Sequence, residues 1–303
     1  MCGIVGLHLR SPELYPRLGE LLTGMLCEME DRGADSAGIA VYGNDAWSPA
    51  GRGTVSLIDM ALPAEEVAAA LTADAGEVIE TTVVGNVLLA SGRLGSEVLL
   101  AAVRRVYPGV LVGGFGEDLA VLKGTGSPRT LAESWGLPRA EGWQGVGHTR
   151  MATESAVTSA GAHPYAVGPG ECLVHNGSFS NHASIRRDLK AAGVLFDSEN
   201  DTEVGARFVA HKLAGGKAVD EALTDLTRTF DGFYTLLVSN RDSFAVVRDA
   251  IACKPAVIAE TDDWVAMASE YRALAHLPGV ENARIWEPEP EVIYHWNRQE
   301  ALV

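Results

Sequence analysis

Apolar strand-like runs at both ends of the chain, amphipathic helical segments between them and a change of texture after Gly43 predict an α+β fold. Strands at both ends with helices between fit a layered sandwich better than a bundle. The opening CGIVGLHL reads as a buried strand beginning at the second residue. Leu18, Leu21, Leu22, Met25, Leu26 and Met29 then recur at helical spacing and predict an amphipathic helix. A Gly-bearing turn, DRGADSAG, leads into the strand-like IAVYG.

Beyond Gly43, Gly and Pro interrupt AWSPAGRG, and PAEEVAAAL reads as a short helix. Three β-type stretches (VIETTVVGNVLLASG, VLVGG and DLAVLKG) surround one helix, SEVLLAAVRRVY, which predicts an α/β insertion over 44–140. The remainder, 2–43 and 141–303, forms the expected main domain. The insertion carries no recognisable chemical motif, and turn-rich LPRAEGWQG closes it. Helices are expected at about 181–192, 202–214 and 217–230; in the last, Val219, Ala222, Leu223, Leu226 and Phe230 share a face. YTLLVS, FAVVRD, AVIAE and WVAMASE follow one another at hairpin spacing, with IYHW near the end.

Composition narrows the function. The formal charge of -16 argues against phosphate-backbone partners, so nucleic acid binding is not expected. The four cysteines, Cys2, Cys27, Cys172 and Cys253, form no C-x-x-C pair and predict neither a disulfide framework nor a zinc site. The first residues lack the basic start of a secretory signal, and no run reaches the roughly 18 apolar residues of a membrane span. A reducing, cytoplasmic location is the resulting expectation, with no membrane partner.

The chemistry-bearing residues cluster in VGHTRMATESAVTSAGAHPYAVG, CLVHNGSFSN and ENDTEVGARF, where short apolar pieces alternate with polar, Gly-containing turns. Were Met1 removed, Cys2 would carry both a thiol and an α-amine of pKa about 7.7–8.0, a self-contained nucleophile and base. In LVHNGSFSN, Asn176 supplies an amide donor beside Gly177, whose backbone N–H can approach a ligand closely; two such donors make an oxyanion hole. The plainer alternative for this triplet is an Asn-Gly hairpin turn. Arg150 has the fork geometry that grips a carboxylate, and Asp201 could pair with an ammonium group. Their plainer alternatives are a surface ion pair for Arg150 and a helix N-cap for Asp201.

Taken in order, MCGIVG, DRGADSAG, GHTRMAT followed by AHPY, VHNGSFSN, NDTE, DGFYTLLV, the RD…KP sequence around Arg248–Pro255 and ASE at 268–270 resemble the class II glutamine amidotransferases. These belong to the N-terminal-nucleophile (Ntn) hydrolases, and the matches cover roughly 1–43 and 145–275. The resemblance implies a four-layer αββα sandwich with the nucleophile on its first strand. It further implies Cys2 as nucleophile with its α-amine as base, and an oxyanion hole from Asn176 and Gly177. Arg150, helped by Thr153, would hold the glutamine α-carboxylate, and Asp201 its α-amine. His163 falls at the His-Pro position near the pocket, as a substrate contact or a structural hydrogen bond. Arg32 and Asp35 would support the site.

Met151 stands where the family has an aromatic residue, and about a hundred residues separate DRGADSAG from GHTR. Both features, together with RMATESAVTSAGAHPY, IACKPAVIAETD and SEYRAL, resemble the stand-alone amidotransferase subunits of glutamate-synthase-like and N-methylglutamate synthase systems. That branch implies glutamine as substrate, an oligomeric assembly, no cofactor or metal in this chain, and flavin (FMN) and iron-sulfur groups in a partner subunit. Rival readings are an N-methylglutamate synthase subunit acting on a γ-glutamyl donor, a catalytically silent regulatory subunit of the same fold, and a cysteine peptidase, for which no partner His stands out.

Overall fold

A computed structural model describes residues 2–151 and 157–298. The chain opens with β1 (Gly3–Leu9), α1 (Leu18–Glu28) and β2 (Ser36–Tyr42), then β3 (Gly53–Ile58), α2 (Ala64–Ala75), β4 (Ile79–Val84) and β5 (Val87–Gly92). Next come α3 (Ser96–Val106), β6 (Leu111–Glu117), β7 (Leu119–Thr125), α4 (Pro128–Trp135) and β8 (Gln144–Arg150). The final part holds β9 (Cys172–Phe179), α5 (His182–Ala191), α6 (Asp201–Ala214), α7 (Val219–Thr229), β10 (Gly232–Ser239) and β11 (Ser243–Arg248). It ends with β12 (Val257–Glu260), β13 (Trp264–Ala268), β14 (Arg284–Trp286) and β15 (Tyr294–Asn297).

Two sheets form the middle of the molecule. A seven-stranded sheet runs β14-β12-β13-β1-β8-β2-β7, and a four-stranded sheet runs β15-β11-β10-β9. Strand β1 shows why each sheet is covered on both sides. Its Val5, Leu7 and Leu9 join a core with Leu22, Met25 and Leu26 of α1, whereas Ile4 joins the core between the sheets with Val174, Leu237 and Phe244. An alternating strand with both faces buried reads as an unbroken apolar run, which is how CGIVGLHL appears in the sequence. On the far side of the smaller sheet, Leu173, Leu236 and Val247 pack with Ile185, Val209 and Leu223 of the helices α5, α6 and α7. The layers are therefore helix, sheet, sheet, helix: the α+β sandwich of the Ntn hydrolases.

The expected inserted segment 44–140 divides in two. Strands β4-β5-β3-β6 make a separate four-stranded sheet, with α2 and α3 on one face through Val55, Leu57, Val67, Leu71, Leu99 and Val103. Strand β7 instead pairs with β2, from Ser36↔Thr125 to Tyr42↔Leu119, as an edge of the seven-stranded sheet. The crossing from one sheet to the other takes a single residue, Asp118, at φ 64. The opposite face of the inserted sheet is buried too: Ile58, Val87 and Leu89 share the main core with Leu131 and Trp135 of α4. Strands β11 and β12, adjacent in sequence, also lie in different sheets.

Candidate active site

Cys2 precedes β1, the central strand of the larger sheet, and its place is set from three directions. Register pairs Gly3 with Thr149 of β8, and the Thr149 hydroxyl donates to the Met29 carbonyl at 3.0 Å. From β13, the backbone N–H of Ile4 donates to Ser269 Oγ at 2.9 Å, while Ser269 N–H donates to the Ile4 carbonyl at 2.9 Å. The Cys2 carbonyl itself accepts two hydrogen bonds, from Asn176 Nδ2 at 3.0 Å and from Arg32 Nε at 2.8 Å. Arg32 is buried and ion-paired through Nη1 with Glu270 at 2.6 Å, and Arg32 is the chief cause that lowers the Glu270 pKa. A buried guanidinium that is held by a carboxylate is a rigid donor.

Asn176 and Gly177 lie inside β9, not in a turn. Residues 172–179 pair one for one with β10, Asn176 opposite Thr235 and Gly177 opposite Tyr234. The hairpin alternative for His-Asn-Gly is thereby excluded. Strand alternation sends His175 toward α6, where Nδ1 lies 2.8 Å from Thr202 Oγ1, and Asn176 toward Cys2. Gly177 has φ 144, a conformation open to glycine, and a methyl group there would collide with the Phe233 carbonyl.

Asp201 begins α6, but Asn200 is the N-cap, its Oδ1 accepting from Thr202 N–H at 2.8 Å. With the cap supplied by its neighbour, the Asp201 carboxylate reaches back to β9 and accepts from Phe179 N–H at 2.9 Å. Helix α6 thus ties an acidic group to the strand that carries Asn176 and Gly177. Arg150 ends β8, next to Thr149 and opposite Ser36 of β2. It is buried, which removes the surface ion-pair alternative. Its carbonyl accepts from Asp35 N–H at 3.1 Å, and Gly33 packs against its backbone so closely that no side chain would fit. The DRGADSAG segment therefore supports Arg150 through Gly33 and Asp35, and Cys2 through Arg32. Thr153, expected to assist Arg150, lies outside the described residues.

His163 is engaged with the protein. Its Nδ1 accepts from His175 N–H at 3.3 Å, and its ring stacks on His148 with centroids 4.1 Å apart. His148 Nε2–H in turn donates to the His175 carbonyl at 3.2 Å. Two imidazoles thus clasp the backbone of β9 immediately before Asn176. Burial pushes His148 down to about 3 and His175 to about 4, and takes His163 well below its usual value, so the cluster is neutral near pH 7. Sequence reasoning gave His148, His175, Thr202 and Thr149 no role, although each lies within two positions of a residue it did single out. Ser269 and Glu270 lay in the ASE motif without an assigned contact.

Among the described residues, no group of three or more His, Cys, Asp or Glu side chains could hold a metal ion, and no helix is long and apolar enough to cross a membrane.

The sequence profile of the family described as "Glutamine amidotransferase domain" matches residues 137–291. The chain is 46% identical over 308 residues to "Glutamine amidotransferase-like protein GlxB" of Rhizobium meliloti, covering 99% of this chain and 100% of that protein. The chain belongs to the class II glutamine amidotransferase family. It is also 31% identical over 285 residues to a "Putative glutamine amidotransferase" of Methanothermobacter thermautotrophicus, covering 89% of this chain and 92% of that protein. Among solved structures, the glutamine phosphoribosylpyrophosphate amidotransferase of B. subtilis superposes with a TM-score of 0.62 at 18% identity. That match covers 98% of this amidotransferase chain and 48% of the other, and it identifies the shared fold.

Proposed function

We propose that this amidotransferase is a glutaminase subunit in which Cys2, freed of Met1, attacks the side-chain amide of glutamine. The observation that carries the reading is the double clamp on the Cys2 carbonyl by Asn176 and Arg32 at the start of the central strand. It holds residue 2 rigidly beside the amide of Asn176, with the α-amine on the same residue as the thiol. The thiol proton passes to the α-amine as sulfur bonds to the amide carbon. The oxyanion is met by Asn176 Nδ2–H and the Gly177 N–H, each such donor being worth about 10²–10³ in rate. The C–N bond then breaks, the α-ammonium returns its proton to the leaving nitrogen, and ammonia departs from a γ-glutamyl thioester. Water hydrolyses the thioester to glutamate. In the glutamine complex, Arg150 with Thr153 pairs with the α-carboxylate and Asp201 with the α-ammonium; His163 acts through β9.

The chain has no phosphate loop and no G-x-G-x-x-G motif of its own. We therefore assign the use of ammonia to a flavin-binding partner of a glutamate-synthase-like assembly in the cytoplasm, the FMN and iron-sulfur groups residing in partners. The relative of full matching length carries only the general name of an amidotransferase-like protein, so the acceptor is part of the proposal. The alternative donor, an N-methylated γ-glutamyl amide, would use the same residues.

Intact mass before and after exposure to a glutamine-analogue electrophile tests the chemistry. The expected result is a chain lacking Met1 that gains one adduct, with no adduct on Cys2→Ala. An unprocessed chain, or equal labelling of the variant, would remove Cys2 from this role. Release of glutamate from glutamine, compared with N-methylated γ-glutamyl amides, separates the two donors.

A further inference from the structure

At the seam between the insertion and α6 is a cavity of about 50 Å3, against about 10–15 Å3 of such space for one water molecule. Leu100 of α3, Val112 and Phe115 of β6, and Ala166 give it a largely apolar lining; neither Cys2 nor Asn176 borders it. Lys123 of β7 also lines it. This lysine is only 3% exposed, and its Nζ lies 4.9 Å from the centroid of the Tyr165 ring. Among the described residues Nζ has no hydrogen-bond or ion-pair partner.

The nearby carboxylates are committed elsewhere. Glu203 accepts from the backbone of Asp197 and Ser198, from Ser198 Oγ and from Arg207. Asp197 pairs with both Arg104 at 3.1 Å and Arg207 at 2.7 Å. The two carboxylates and two guanidiniums balance, so with Lys123 the lining carries one net positive charge, and Glu203 reaches the lysine only through space. Burying an ammonium without a counter-charge is costly, and the cost falls when an anion enters beside it.

We propose that this cavity binds a small organic monocarboxylate, its carboxylate on Lys123 Nζ and its short alkyl part against Leu100, Val112 and Phe115. One unbalanced cation matches one negative charge, the apolar lining matches an alkyl group, and the volume accepts a molecule between acetate and butyrate in size. The inserted sheet thereby acquires a role, since α3 and β6 complete a pocket that the sandwich alone leaves open.

The test is thermal denaturation of the full chain at pH 7 in sodium acetate, propionate or butyrate, each against sodium chloride of equal ionic strength. A saturable rise in Tm is expected with at least one carboxylate. Lys123→Met, folded and at least as stable in chloride, should lose the response, with affinity at least tenfold weaker by calorimetry. Leu100→Trp fills the cavity while keeping the lysine, and should lose it as well; this variant decides the matter if Lys123→Met does not fold. In the wild-type chain, affinity should also fall at least tenfold between pH 7 and pH 9.5. Lys123, held down to about 8 by burial, loses its proton over that interval. Burial raises Tyr165 and Cys172 beyond it and depresses His163 below it; the other charged groups lining the cavity are Arg104, Arg207, Asp197 and Glu203. No saturable response beyond chloride, a response to inorganic phosphate without one to the carboxylates, wild-type affinity in either folded variant, or a pH-independent affinity would each overturn the proposal.

Discussion

At Gly177 the backbone conformation and the proposed chemistry depend on the same missing side chain. The φ of 144 and the nearness of the Phe233 carbonyl leave no room for a methyl group, so Gly177→Ala must move β9 away from β10. We expect glutaminase kcat/KM to fall at least 10²-fold, the scale of one lost oxyanion donor, with a lower urea midpoint; near wild-type steady-state rates would remove Gly177 from the site. Arg32 permits a subtler test, because it reaches Cys2 and Glu270 through different nitrogens. Arg32→Lys keeps the charge but not the fork. The expected result is a tenfold or larger loss in kcat with KM changed less than threefold, since the guanidinium holds the carbonyl of Cys2, the residue proposed to carry nucleophile and base, and has no place in the proposed contacts to glutamine. An equal loss in both constants would make Arg32 a binding residue.

Strand β1 carries the placement of Cys2 to the rest of the fold. Its register with β8 and β13 is set by side chains on both faces, and a slip of one residue would exchange Val5, Leu7 and Leu9 with Ile4, Gly6 and His8. Leu7→Ala opens space against α1 in a core with no solvent access, at an expected cost of about 2–5 kcal/mol. Urea unfolding should show that loss while rate per folded molecule stays within twofold; a larger change in rate would mean that α1 packing reaches Cys2. The same element scale shows where periodicity runs out. DLAVLKG is visibly a strand, but nothing local says that β7 pairs with β2 instead of joining β6 in the inserted sheet. AVIAE follows FAVVRD at hairpin spacing, yet β12 belongs to the other sheet. Pairing partners are chosen by apolar faces contributed from distant segments, which a local pattern does not contain.

Across the whole molecule, burial of imidazoles makes stability depend on pH. His8 and His175 are held down to about 4, His148 to about 3, and His163 well below its usual value, all chiefly by desolvation. Their folded pKa values lie below the unfolded one, so the stability they confer is complete above about pH 6.5 and is lost as pH falls toward 4. Glu171 acts in the opposite sense: burial raises it to about 7, so it holds a proton in the folded state and releases it on unfolding. Four imidazoles taking up nearly one proton each, less the one from Glu171, leave an uptake of about three protons per molecule unfolded near pH 5.5. Urea unfolding free energies should rise with pH from 5 upward, steepest near pH 5.5 and flattening toward pH 6.5 as the unfolded imidazoles lose their protons. A flat profile would mean that the histidines are solvated.

Much of the proposed site was legible because it is made of short motifs with strict local demands. Cys at position two, Asn-Gly behind an apolar strand and Arg after another strand all point to one chemistry, and the structure brings Cys2, Asn176 and the DRGADSAG segment together. Which alternative each residue takes was legible only in three dimensions. Asn200 caps α6, leaving Asp201 to bind β9, and pairing with β10 keeps Gly177 inside a strand. The partners of Cys2 come from 30 and 174 residues farther along the chain, and Glu270, which holds Arg32, lies 238 residues beyond Arg32. Local composition dictates which segments become strands and helices and which residues are chemically suited to act. Long-range packing dictates which of them meet, because burial and hydrogen bonding reward contacts in space regardless of separation along the chain.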